Sequence, residues 1–178
     1  MKEAIEQLIS EEEIDKRVSE LAEEIMYDFE GKPITLICVL KGGIFLAVDL
    51  ARKLKMPVVL DFMDISSYGE STVSSGHIKI NKDLENSITG KNVLLIEDIV
   101  DTGQTLVHLL AHLRMQKPSM LKVCALLNKP DRRKVSGADV DYIGFTIPDE
   151  FVIGYGLDYA QKYRNLPYIG VIKFEDNI

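Results

Sequence analysis

The chain has 178 residues, 46% of them apolar and 28% charged, with a formal net charge of −7. These proportions are those of one ordinary globular domain able to bury a core, and the acidic balance argues against a broad nucleic-acid-binding face, which needs clustered Lys and Arg. No apolar run nears the roughly 20 residues that cross a bilayer, and Met1-Lys2-Glu3-Ala4-Ile5-Glu6 lacks the apolar core of a signal peptide, so a cytoplasmic protein with no membrane or nucleic-acid partner is expected. Cys38 and Cys124 both sit within apolar runs and read as buried free thiols.

In chain order, residues 3–30 read as helix. Ser10 and Glu13 form a capping-box pattern, and Ile14, Val18, Leu21, Ala22, Ile25 and Phe29 recur at helical spacing before Gly31-Lys32-Pro33 ends the element. Ile34 to Leu40 is a nearly unbroken apolar strand, followed by Lys41-Gly42-Gly43 and a helix over about 44–55. A strand is expected over 57–66. The stretch 66–76 is then rich in small polar residues and too poor in apolar ones to pack, as expected of a functional lid, with 77–81 pairing back as a strand.

Val93 to Leu106 is the most informative stretch. Val93-Leu94-Leu95-Ile96 has the character of a strand buried on both faces, Glu97-Asp98 follow it, and Asp101-Thr102-Gly103-Gln104-Thr105 leads into a helix running to about Gln116. A helix N-terminus offers backbone N–H groups and a positive dipole end to a phosphate. The two acids would repel that phosphate and suit sugar hydroxyls or a divalent cation instead. Leu121 to Leu127 is a further strand, ending at Asn128-Lys129-Pro130-Asp131, and short strands are expected over 141–146, 151–153 and 169–174. Helices interleaved with apolar strands predict an α/β fold whose mostly parallel sheet is covered on both faces. In such sheets ligands bind beyond the carboxyl ends of the strands. Lys41, the stretch from Glu97 to Thr105 and Lys129 all fall there.

The stretch from Val93 to Leu106 resembles the ribose-pyrophosphate signature of the type I phosphoribosyltransferases, and the likeness runs from about Lys41 to Arg164, within the branch that acts on hypoxanthine and guanine. It implies a Rossmann-like fold spanning 1–178 as a single domain, with a flexible lid at about 66–76 and a small hood formed by about 141–178 with an N-terminal contribution. It also implies roles for particular residues. Glu97 and Asp98 would meet the ribose hydroxyls with magnesium nearby, Asp158 would be a further magnesium ligand beside the base, and Thr102, Gly103, Gln104 and Thr105 would hold the 5′-phosphate. Asp101 would lie beside N7 of the purine as general acid/base. Lys41 and Gly42, after a cis peptide at Leu40, would bind pyrophosphate together with Arg164. Lys129 would donate to O6 of the base, Phe151 would stack on it, and the Val152 backbone would meet its edge, while Ser67 and Tyr68 would belong to the catalytic lid. Gln104 departs from many relatives, which carry Lys there.

The implied reaction is the Mg²⁺-dependent transfer of phosphoribose from phosphoribosyl pyrophosphate (PRPP) to N9 of hypoxanthine or guanine, giving IMP or GMP and pyrophosphate, in a homodimer or homotetramer. Xanthine-guanine specificity, a PRPP- or nucleotide-sensing RNA-binding regulator on the same fold and a phospho-acceptor receiver domain remain as alternatives. His108 and His112 lie one helical turn apart, but no acid completes a metal-binding pattern with them.

Overall fold

The computed structural model describes residues 2–67 and 78–175. Its elements are β1 (Lys2–Ile9), α1 (Glu11–Asp28), β2 (Ile34–Leu40), α2 (Ile44–Lys53), β3 (Val58–Ser67), β4 (Ile78–Lys82), β5 (Asn92–Val100), α3 (Gln104–Met115), β6 (Met120–Asn128), β7 (Tyr142–Thr146), β8 (Val152–Ile153) and β9 (Ile169–Glu175), with a short 3₁₀ turn at Pro130–Arg132. The central sheet has the order β4-β3-β2-β5-β6-β7. Its strands run parallel except β4, which pairs antiparallel with β3.

Alternation along the strands builds two cores. Leu36, Cys38, Leu94, Ile96, Cys124 and Leu126 face α1 and α2, whereas Ile37, Val39, Leu95, Val123 and Ala125 face α3. Both cysteines are free and buried, as their apolar surroundings predict. Burial pushes each thiol up to about 12, so neither is a nucleophile at neutral pH.

The expected helix over 3–30 is corrected at its start. Residues 2–9 form β1, which pairs antiparallel with β9 and, through it, with β8 in a separate three-stranded sheet. Eight residues carry too little periodicity to separate strand from helix, and the partner strand lies at the far end of the chain. The capping box marks the true helix start: the Glu13 N–H donates to Ser10 Oγ, and the Ser10 N–H donates to Glu13. A second correction concerns residues 142–146, grouped by sequence with the hood. As β7 they pair parallel with β6 and extend the central sheet, and only β8 and β9 of the C-terminal strands join β1 in the second sheet.

Candidate active site

The sheet order decides where a ligand goes. From β2 the chain passes through α2 to β3 on one side, and it later resumes at β5 on the other side of β2. Loops after β2 and β5 therefore diverge, and the crevice between them is the switch point at which open α/β sheets bind ligands. A cavity of about 250 Å³ opens there, lined by Val39, Leu40 and the run from Glu97 to Gly103 with Thr105. A larger cavity of about 400 Å³ lies between α1, α2 and the segment around Tyr155.

The loop after β5 reaches α3 through Gly103, which caps the helix at φ +83°. Gly103 and Thr105 line the cavity, and the free backbone amides of a helix N-terminus suit an anion. Thr102 Oγ1 accepts from the Gln104 N–H at 3.4 Å, bracing the turn.

Glu97 is buried at the end of β5 and Asp98 is half-buried beside it. Burial, reinforced by the Asp98 charge, pushes the Glu97 carboxyl well above its usual range. Asp98 is also raised, chiefly by burial and further by Asp158, against the pull of the Ile99 N–H, at 2.7 Å, and of Arg164. Two crowded carboxyls with raised pKa values form a region that a cation would stabilise.

Across the crevice, the Leu40–Lys41 peptide is cis. Gly42 is pressed so closely on Asp98 that a Cβ there would lie 1.5 Å from Oδ2. Lys41 Nζ donates to Gln161 Oε1 at 3.3 Å, and Arg164 donates to the same oxygen at 3.4 Å. Arg164 also pairs with Asp158 at 2.7 Å and donates to the Gly156 carbonyl at 2.7 Å, while the Gln161 N–H donates to Asp158 Oδ2 at 2.8 Å. Two cations and one acid thus converge beside the acid pair. Among the described residues, Glu97, Asp98 and Asp158 do not close into a three-ligand metal cluster.

On the opposite flank, Lys129 is buried after β6, and its ammonium donates to the Glu150 carbonyl at 2.7 Å with Asp149 at 3.6 Å. Phe151 is 55% exposed, so a ring face remains accessible, and it meets Tyr159 edge-on at 5.9 Å. Val152 is buried in β8. Asp101 accepts from Arg132 at 2.9 Å, and Arg133 donates to the Asp101 carbonyl at 3.1 Å. The backbone of Ser67 ends β3, whereas Tyr68 and the rest of the expected lid lie outside the described residues. His112 pairs with Asp83 at 2.9 Å, and His108 Nδ1 contacts the Gln104 carbonyl at 2.8 Å.

Gln161, Arg132, Arg133 and Asp149 escaped the sequence reading. The strand-end rule that singled out Lys129 covers Arg132 and Arg133 as well, since they follow it within one turn. Gln161 offered no such signal, because its place depends on an irregular turn in which Ala160, Gln161 and Tyr163 all have positive φ.

A model of the phosphoribosyl transferase domain matches residues 4–160. The hypoxanthine-guanine phosphoribosyltransferase of Bacillus subtilis (strain 168) is 51% identical over 176 residues, covering 97% of this chain and 96% of its own. The hypoxanthine phosphoribosyltransferase of Buchnera aphidicola subsp. Schizaphis graminum is 48% identical over 177 residues, covering 98% and 99%. A crystal structure of a hypoxanthine-guanine phosphoribosyltransferase from Bacillus anthracis superposes with a TM-score of 0.91 at 49% identity, covering 97% of this chain and all of that one.

Proposed function

The chain belongs to the phosphoribosyltransferase family, and from that premise we propose that it salvages purines, joining phosphoribose from PRPP to N9 of hypoxanthine or guanine with release of pyrophosphate. The observation that carries this reading is Lys129, a buried group with donors only, which follows β6 beside the loop after β5, its N–H donating to the Val100 carbonyl at 3.0 Å. An ammonium there rewards a 6-oxo group and meets the amino group of adenine donor to donor.

The geometry supports the following roles. The α3 N-terminus with Thr102, Gly103, Gln104 and Thr105 holds the 5′-phosphate, and Glu97 and Asp98 accept from the ribose hydroxyls. Lys41 and Arg164 leave Gln161 for the pyrophosphate and neutralise it as the bond to C1 breaks. N9 bonds to C1 while Asp101 takes the proton from N7 of the purine. Phe151 stacks on the base, and the Val152 backbone meets its edge. Ser67, Tyr68 and the rest of a lid over about 66–76 shield the cationic ribose centre from water.

Magnesium fits the donor set. Glu97, Asp98 and Asp158 present hard carboxylate oxygens, two of them destabilised by burial, and Mg²⁺ is commonly held by one or two carboxylates completed by substrate oxygens rather than by a closed protein cage. When bound it supplies positive charge to the departing pyrophosphate.

In this reading 1–178 is one domain acting in the cytoplasm, with a hood built on β1, β8 and β9. Ile44, Phe45 and Val48 on α2 and Val59 and Leu60 on β3 are exposed apolar side chains, which supports a homodimer or homotetramer. The test is pyrophosphate release from PRPP and Mg²⁺ with hypoxanthine, guanine, xanthine, adenine and uracil in turn. Release with the 6-oxopurines alone is expected. Adenine or uracil as the best substrate, or no release with any base, overturns the proposal.

A further inference from the structure

Arg132 is the root of a bridge between the two walls of the base site. It closes the 3₁₀ turn after Lys129, where its N–H donates to the Lys129 carbonyl at 3.2 Å. Its Nε donates to Asp101 Oδ1 at 2.9 Å, and Nη1 donates to Asp149 Oδ2 at 3.2 Å. Asp149 stands two residues before Phe151 and also faces the Lys129 ammonium, at 3.6 Å. One guanidinium therefore ties the phosphate loop to the segment that carries the stacking ring.

We propose that Arg132 is a positioning residue, which orients Asp101 for proton transfer by fastening it to Asp149. This rests on the purine reading given above. With Oδ1 of Asp101 anchored by Arg132, and the Asp101 carbonyl gripped by Arg133 at 3.1 Å, Oδ2 is the oxygen left for the base. Each exposed ion pair alone is worth little to stability. A planar fork holding two carboxylates at once fixes direction, however, and a lysine, as a point charge on a flexible stem, cannot reproduce that. The bridge therefore acts on geometry, and its loss is expected in turnover rather than in folding or PRPP binding.

The test uses steady-state kinetics of the full chain with PRPP, Mg²⁺ and hypoxanthine for wild type, Arg132→Ala, Arg132→Lys, Asp149→Ala and the Arg132→Ala/Asp149→Ala double variant. Arg132→Ala is expected to lower kcat about tenfold, part of the ~10²–10⁴-fold that a placed proton acceptor contributes, with KM for PRPP within about twofold. Arg132→Lys does not restore the rate, Asp149→Ala shows a similar loss, and the double variant is no worse than the worse single one. A kcat for Arg132→Ala within twofold of wild type, rescue by Lys, or additive losses overturn the bridge while leaving the transferase reading intact. An inactive wild type removes both. Asp149→Ala alters a single exposed carboxylate, so the test stands even if Arg132→Ala fails to fold.

Discussion

Gly156→Ala tests the interlock between the loop joining β8 to β9 and the loop after β2. Gly156 sits at φ +102°, and a Cβ there would lie 2.0 Å from the Gly42 carbonyl oxygen and 3.5 Å from the Phe45 ring. Neither side can give easily. The Gly156 N–H donates to the Arg164 carbonyl at 2.9 Å, the Gly156 carbonyl accepts from the Arg164 guanidinium at 2.7 Å, and Gly42 is packed on Asp98. A non-glycine residue at positive φ costs roughly 1–2 kcal/mol, and overpacking against fixed backbone adds about 1–3 kcal/mol. At ~2–4 °C per kcal/mol for a chain of this size, the melting temperature should fall by about 4–20 °C. Gly137→Ala is the control, because Gly137 also has positive φ, +79°, yet no atom lies within 4 Å of its Cβ position. It should lose only the conformational part, about 2–8 °C. Thermal unfolding of both variants, with KM for PRPP measured well below the transition, reads the two contributions separately. Gly156→Ala should also raise KM for PRPP severalfold, because Gly42 and Arg164 must shift. Equal melting temperatures for the two variants, or an unchanged KM, would refute the close approach as the reason for glycine at 156.

Three other outcomes follow from the same geometry. Because burial raises the Glu97 pKa above its ordinary value of 4.5, the unfolded chain releases that proton first as pH rises. The ligand-free fold therefore loses stability from that pH up to the raised folded-state value, and Glu97→Gln should match or exceed wild-type melting temperature at pH 8 while losing turnover; a deficit at pH 8 as large as at pH 4.5 would contradict this. Lys129→Met removes a donor worth roughly 1.5–3 kcal/mol to a charged hydrogen bond, so kcat/KM for hypoxanthine should drop about 10–150-fold and the preference over adenine should narrow, in initial-rate assays with each base. Ser10→Ala breaks the capping box at α1 and should cost about 1 kcal/mol, or ~2–4 °C in a melting curve, without changing kinetics.

What could be read from the sequence followed from burial and local chemistry. β2, β5 and β6 showed as largely apolar runs because each is covered on both faces, and their positions carried Lys41, the acid pair and Lys129 to one edge. The cap at Ser10 was legible because its two hydrogen bonds span three residues. β1 was not, since its eight residues are held by β9, from the opposite end of the chain. The contacts of Gln161 with Lys41 and Arg164, and of Arg132 with Asp101 and Asp149, depend on loop geometry that leaves no periodic trace.

The most direct test of the central claim is the structure of the product, determined by NMR and mass spectrometry, after incubating the protein with PRPP, Mg²⁺ and hypoxanthine. IMP is the expected product, with ribose 5-phosphate joined to N9, formed in equal amount with pyrophosphate. Ribose 5-phosphate with unreacted hypoxanthine, or attachment at another ring nitrogen, would contradict it.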